Sequence, residues 1–150
     1  MRCQDALERA GHSLVLVLAP RKVERAHELL KICGEHHRRA ILRSQLDGRP
    51  LAPGDVLILD TLGELAGVYA TATIAFVGGS LVPIGGPNIA EPIHAGCPVW
   101  FGRRVESAGP VPGILAVGRA GICVEDARGL REALAEACAR SRFGVNPTTA

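Results

Sequence analysis

The sequence predicts an α/β chain built on a doubly wound parallel sheet, and three observations carry that expectation. Runs such as Asp55–Asp60 and Thr73–Val77 are apolar without period-two alternation, the mark of strands covered on both faces. Nearly every such run is followed by a helical pattern, which a parallel crossover requires. Apolar residues make up 47% of the chain while aromatics supply 3%, so the core must be aliphatic and tightly layered. With 150 residues the chain has the length of one domain, 1–150.

The elements follow in order. A helix over Asp5–Ala10 stops at Gly11, a residue suited to a helix C-cap. A strand covers Ser13–Leu18. Val23, Ala26, His27, Leu29 and Leu30 recur at helical spacing up to Gly34. Ala40–Arg43 is a short strand, and Ser44–Gly54, rich in turn pairs such as Asp47-Gly48 and Pro53-Gly54, is a surface loop. Asp55–Asp60 is a buried strand, Leu62–Ala70 a short helix, and Thr73–Val77 another buried strand. A glycine-rich loop, Gly78–Pro87, leads into a helix over Ile89–Ala95 and a strand over Pro98–Phe101. Gly109–Gly118 is ambiguous. Gly121–Val124 forms a last strand, and Asp126 caps a helix running to about Arg140.

Composition excludes several classes. A formal net charge of +2 is too mild for nucleic-acid binding, which calls for a clustered basic face. Arg38, Arg39 and Arg43 form a local basic group, either a solvated helix end and strand or a contact for acidic lipid or a phosphorylated acceptor. The five cysteines are odd in number and contain no Cys-x-x-Cys pair, which points to free thiols in a reducing cytosol. Cys33, His36 and His37 crowd a helix end, and the reading of that group is an exposed terminus rather than a metal site. The apolar run Leu14–Pro20 is far short of the roughly 20 residues that span a bilayer.

In parallel sheets ligands bind beyond the carboxyl ends of the strands, and the distinctive residues fall there. Pro20-Arg21 follows the first strand, Asp60-Thr61-Leu62-Gly63-Glu64 the third, Gly78-Gly79-Ser80 through Gly85-Gly86-Pro87-Asn88-Ile89-Ala90-Glu91 the fourth, and Gly102-Arg103-Arg104 the fifth. Glycines in a strand-to-helix loop serve tight turns, or let backbone N–H groups approach a phosphate. Asn88 and Glu91 have the spacing of a capping box; alternatively Glu91 turns outward and accepts hydrogen bonds from vicinal ribose hydroxyls. Arg21 is an exposed loop cation or a phosphate clamp. Asp60, Thr61 and Glu64 are a polar helix start or a pocket lining. The Gly-x-x-x-x-Gly-Lys-Ser/Thr loop, a Gly-x-Gly-x-x-Gly after the first strand, and the Gly-x-Ser-x-Gly elbow are all missing from the sequence, which speaks against an ATPase, an ordinary NAD enzyme and an elbow-type hydrolase. The residues alone lead to a phosphate- or nucleotide-binding α/β domain.

The strings Asp60-Thr61-Leu62-Gly63-Glu64-Leu65, Ala75-Phe76-Val77-Gly78-Gly79-Ser80-Leu81-Val82 and Gly85-Gly86-Pro87-Asn88-Ile89-Ala90-Glu91-Pro92, with Ala19-Pro20-Arg21 before them and Pro98–Gly102 after, closely resemble the C-terminal domain of the Kdo (3-deoxy-D-manno-octulosonic acid) transferases. The resemblance implies a Rossmann-like lobe of a two-lobed GT-B glycosyltransferase, incomplete here, which binds CMP-Kdo while a second lobe receives a lipid A precursor. It implies that Arg21 meets the CMP phosphate, that Gly85, Gly86 and the helix beginning near Asn88 cradle the nucleotide, and that Glu91 takes the ribose hydroxyls. Gly79, Ser80 and the loop Asp60, Thr61, Gly63, Glu64 line the donor pocket. Transfer would invert the sugar and need neither metal nor cofactor, with the general base in the acceptor lobe, at the cytoplasmic face of the bacterial inner membrane, with peripheral membrane contact left open.

The chain departs from the family at Pro87, where His or Gln is usual, and at Arg103-Arg104, where the family has Pro-His. Two other readings stand beside the transferase: a non-catalytic nucleotide-binding remnant, and another GT-B enzyme such as a UDP-sugar transferase or epimerase. By the same resemblance the acceptor lobe, the first, central strand of a 3-2-1-4-5-6 sheet and the closing helix lie outside this chain, and uncovered strand edges favour aggregation. The isolated chain is therefore expected to be marginally stable and unable to transfer Kdo by itself. A reversible, cooperative thermal transition of a monomer well above room temperature would contradict the first expectation, and turnover of CMP-Kdo onto a lipid A precursor the second.

Overall fold

The computed structural model describes residues 2–82, 88–105 and 121–139. The ambiguous segment Gly109–Gly118 and the loop residues Gly85, Gly86 and Pro87 lie outside them. The chain divides into two compact units, Met1–Leu65 and Ala66–Ala150, each built around its own parallel ladder.

In the first unit, β1 (Leu16–Leu18), β2 (Ala40–Leu42) and β3 (Val56–Ile58) form a three-stranded sheet in the order β1-β3-β2. Both ladders are parallel, with Leu16 and Ala40 opposite Val56, and Leu18 and Leu42 opposite Ile58. Every residue of β3 is buried, whereas β1, with one partner strand, is half-buried along its length. Helix α2 (Ala26–Glu35) covers one face. Ala26 and Cys33, with Leu29 and Leu30 between them, pack on Leu42, Val56 and Ile58, the i, i+3, i+4, i+7 stripe of an amphipathic helix. Burial pushes the Cys33 thiol above its ordinary pKa. Helix α1 (Arg2–Arg9) starts ahead of the Asp5 expected for it.

Helix α1 is tied down by Arg38. Its Nη1 donates to both Glu8 carboxylate oxygens at 2.8 and 2.6 Å, its Nη2 donates to Asp5, and its side chain keeps only 14% exposure. Arg39 pairs with the buried Asp55 at 3.5 Å, and Arg43 with Glu64 at 2.7 Å. All three members of the basic group are thus matched to acids, and it offers less open charge than the sequence suggested.

In the second unit, β4 (Ala75–Val77), β5 (Val99–Phe101) and β6 (Gly121–Cys123) pair in parallel in sequence order, with Val77, Phe101 and Cys123 level. Helix α3 (Leu65–Thr71) begins three residues after the predicted Leu62, because Gly63 takes a left-handed φ of +83° that stops a helix from starting earlier. Helix α4 (Ala90–His94) follows the glycine-rich loop, and Ile89 and Ile93 pack against Val77, Val99, Phe101 and Val105. Helix α5 (Ala127–Ala139) starts where expected: the Asp126 carboxylate accepts the Gly129 N–H at 2.8 Å, an N-cap bond that holds its pKa below the ordinary value. The α/β class therefore holds, as two three-stranded parallel ladders in place of one continuous sheet. The third strand sits between the first two, contrary to the order 3-2-1-4-5-6.

Three helices end in the same hydrogen-bond pattern. Gly11 and His12 donate to Glu8 and Leu7, His37 and Arg38 to Gly34 and Cys33, and Gly96 and Cys97 to Ile93 and Pro92. This is the Schellman motif, whose first residue past the cap adopts a left-handed conformation. Gly11 and Gly96 supply it with φ of +87° and +74°, while α2 uses His37 at +53°. A Cβ in that region costs about 1–2 kcal/mol, partly offset because glycine loses more backbone entropy on folding. His37→Gly is expected to raise the stability of the first unit by about 0.5–1 kcal/mol, read as a higher urea midpoint with an unchanged slope.

Candidate functional site

Parallel register collects the carboxyl ends of β1, β2 and β3 on one edge of the first unit. Leu18, Leu42 and Ile58 are level, so Pro20, Ser44 and Asp60, each two residues further on, leave the sheet together. Asp60 is bound to the neighbouring strand end: its Oδ1 accepts the Ser44 N–H at 2.9 Å, and its Oδ2 accepts the Ser44 hydroxyl. These bonds, the hydroxyl first, hold the Asp60 carboxyl below its ordinary pKa. Glu64, four residues on, accepts the Thr61 hydroxyl and pairs with Arg43. Between them Leu62 stands out into solvent, 84% exposed, and Gly63 turns left-handed.

Arg21 lies on the same edge, past the end of β1. It is exposed, and unlike Arg38, Arg39 and Arg43 it has no ion pair or side-chain hydrogen bond among the described residues. The edge therefore presents Arg21, and Lys22 after it, as exposed cations without a side-chain partner among the described residues, beside a turn whose two carboxylates are already engaged.

In the second unit the rim is shaped by a close approach. After β4 the chain makes a 3-10 turn over Gly78–Leu81. The Ser80 side chain is fully buried; its hydroxyl donates to the Val77 carbonyl and accepts the Gly102 N–H, while its own carbonyl accepts the Arg104 N–H at 3.0 Å. A Cβ on Gly102 would stand 2.5 Å from the Ser80 carbonyl oxygen and 2.7 Å from Leu81 Cδ2, so only glycine lets the two loops meet. Ser80, expected to line a pocket, instead braces the loop from inside, and Gly79 beside it is exposed. At the next level Arg103 pairs with Glu125, both largely exposed.

The capping-box alternative is half realised. Asn88 Oδ1 accepts the Ala90 N–H at 3.1 Å, but Glu91 makes no return bond, and no hydrogen bond or ion pair of its carboxylate occurs among the described residues. Glu91 is half-buried and close enough to Tyr69 to add to the rise that burial causes in the phenol's pKa. Helix α4 has five residues, and Asn88 stands just before it. Sequence reasoning passed over Arg43, Ser44 and Tyr69: the first two were read as parts of a basic group, a strand and a loop, and only strand register shows that they face Asp60 and Glu64. Among the described residues no grouping of three or more His, Cys, Asp or Glu could hold a metal ion.

No protein-family model matches the chain. Curated relatives do. The chain is 32% identical over 114 residues to a 3-deoxy-D-manno-octulosonic acid transferase of Chlamydophila psittaci, a match covering 75% of this chain and 26% of that protein. A 3-deoxy-D-manno-octulosonic acid transferase of Bordetella pertussis is 39% identical over 89 residues, 59% of this chain and 20% of the relative. Among solved structures, the C-terminal CMP-Kdo binding domain of WaaA from Acinetobacter baumannii superposes with a TM-score of 0.77 at 28% identity, over 94% of this chain and 76% of that one. The chain belongs to the Kdo transferase family, as its C-terminal domain.

The chain spans about a quarter of the length of the Chlamydophila relative and about three quarters of the solved C-terminal domain. The family strings fall at strand ends in both units: Asp60–Leu65 after β3, and Gly78–Leu81 after β4. No helix among the described residues is long and apolar enough to cross a membrane.

The Ser44–Asp60 bonds make a pH prediction. Because the folded pKa of Asp60 is lowered, its contribution to stability is present in full above the ordinary aspartate value of about 3.9 and is lost as pH falls through the folded value. Urea midpoints followed from pH 7 to pH 2.5 are expected to fall less steeply below pH 4 for Asp60→Asn than for the parent chain, with Asp60→Asn the less stable protein at pH 7.

Proposed function

We propose that this chain is the donor-binding part of a Kdo transferase, holding CMP-Kdo while Kdo passes to a lipid A precursor in lipopolysaccharide core assembly. The observation that carries the reading is the match over 94% of the chain, at a TM-score of 0.77, to a domain described as CMP-Kdo binding. The transferase names of the curated relatives support the reaction class, a glycosyl transfer. The acceptor side and the general base are proposed to come from outside these 150 residues, with the work done at the cytoplasmic face of the inner membrane.

Within the chain, two of the proposed roles rest on side chains without an internal partner among the described residues. Arg21, exposed and unpaired among the described residues, is proposed to bind the CMP phosphate: its planar fork of donors suits phosphate oxygens, and a fixed cation stabilises the charge that grows on the leaving CMP. Glu91, half-buried and with a carboxylate that has no hydrogen-bond partner among the described residues, is proposed to accept the two ribose hydroxyls, a bond pair that its unrealised capping role leaves open. Asp60, Thr61, Gly63 and Glu64 are proposed to meet the donor through the backbone and outer faces of their turn, and Gly79, Gly85, Gly86 and Asn88 are proposed as further donor-binding residues on the family resemblance. Ser80 contributes by bracing that loop. Cleavage of the donor's sugar–phosphate bond releases CMP, and a deprotonated acceptor hydroxyl attacks the opposite face of the sugar, which inverts it.

Calorimetric titration of the purified chain with CMP and with UDP tests the proposal. Selective CMP binding is expected, weakened at least tenfold, about 1.4 kcal/mol, in both Arg21→Ala and Glu91→Ala. Preference for UDP would favour another nucleotide-sugar enzyme, and failure of a folded chain to bind either nucleotide would favour a remnant.

A further inference from the structure

Arg43 and Ser44 are the first two residues past β2, and both reach to the turn after β3. Ser44 gives Asp60 two hydrogen bonds, one from its backbone N–H at 2.9 Å and one from its hydroxyl. Arg43 Nη2 holds Glu64 Oε1 at 2.7 Å with both side chains a little over one-third exposed, and the Thr61 hydroxyl closes the turn onto the other oxygen of the same carboxylate. Packing cannot hold this turn in place. Leu62 is 84% exposed, Gly63 has no atom within 4 Å of where its Cβ would be, and Gly63 adopts a left-handed conformation that an unconstrained chain visits only part of the time. Its shape depends on tethers to side chains elsewhere, and among the described residues Ser44 and Arg43 supply the side-chain tethers that reach it from outside.

We propose that Arg43 and Ser44 are positioning residues of the donor site, clamping the Asp60–Glu64 turn into its ligand-ready shape before any nucleotide arrives. The inference rests on the donor-site reading above and deepens it, since neither residue belongs to the motifs that define that site. A turn ordered in advance spares the ligand the entropy of ordering it, so the clamp acts on affinity without touching ligand. Register makes the arrangement obligatory: with β2 and β3 parallel and Leu42 opposite Ile58, residue 44 meets residue 60.

The test combines two readouts on the full chain. In calorimetric titrations with CMP, Ser44→Ala and Arg43→Ala are expected to bind about tenfold more weakly, with a less favourable binding entropy, while Ser44→Thr, which keeps the hydroxyl, recovers the parent affinity. Arg49→Ala, which breaks the exposed pair with Asp47 on the same loop, serves as control and is expected to bind as the parent does. Hydrogen exchange of the 61–64 amides in the nucleotide-free chain reads the clamp without any ligand, and faster exchange is expected in Ser44→Ala and Arg43→Ala than in the control. Unchanged exchange, unchanged CMP affinity, or an affinity loss that follows the melting temperature equally in Arg49→Ala overturns the proposal. A parent chain that shows the exchange difference but binds no CMP overturns the donor-site reading instead, and with it the ligand-directed role of the clamp.

Discussion

Strand β3 is buried on both faces and hydrogen-bonded on both edges, and the arrangement of the first unit depends on that position. Three consecutive aliphatic residues, Val56, Leu57 and Ile58, are all buried, so a shift of one residue against either neighbour would misplace every contact with α2. Locking β3 in register also locks the turn that comes after it. Asp60 leaves the sheet level with Ser44 and bonds to it, and Glu64 comes within reach of Arg43. The polar rim is thus a consequence of apolar burial one or two residues earlier.

A second constraint plays the same part in the other unit. Ser80 and Gly102 approach so closely that no side chain fits between them, and the buried hydroxyl of Ser80 satisfies backbone groups of both loops. An unsatisfied buried polar group costs about 1–3 kcal/mol, so the brace stabilises by leaving none. The two conspicuous small residues of the family strings after β4 and β5 therefore act on shape, and the loop they fix carries the exposed Gly79.

The polar side chains named for the site differ in whether they have partners within the chain. The side chains of Asp60, Thr61, Glu64, Arg43 and Arg103 are all bonded within the chain, whereas those of Arg21 and Glu91 have no hydrogen-bond or ion-pair partner among the described residues. The ion pairs around Arg38 serve another end, fastening α1 to the turn after α2, where Arg38 follows the left-handed His37 and is aimed at Glu8 and Asp5.

The sequence by itself determined the class of fold, the positions of the parallel strands, the helix stops at Gly11 and the cap at Asp126, because these depend on local periodicity and on the chemistry of single residues. It also carried the family strings, which the relatives bear out. Only the tertiary structure decided that β3 lies between β1 and β2, that Ser80 faces inward, and that Arg43 and Ser44 grip the Asp60–Glu64 turn. Those outcomes depend on which strands become neighbours and on their register, and pairing between residues far apart in the chain leaves no periodic trace in either partner. The capping box of Asn88 and Glu91 shows the boundary: spacing alone allowed both of its bonds, and among the described residues only the one that the Ala90 N–H donates to Asn88 is present.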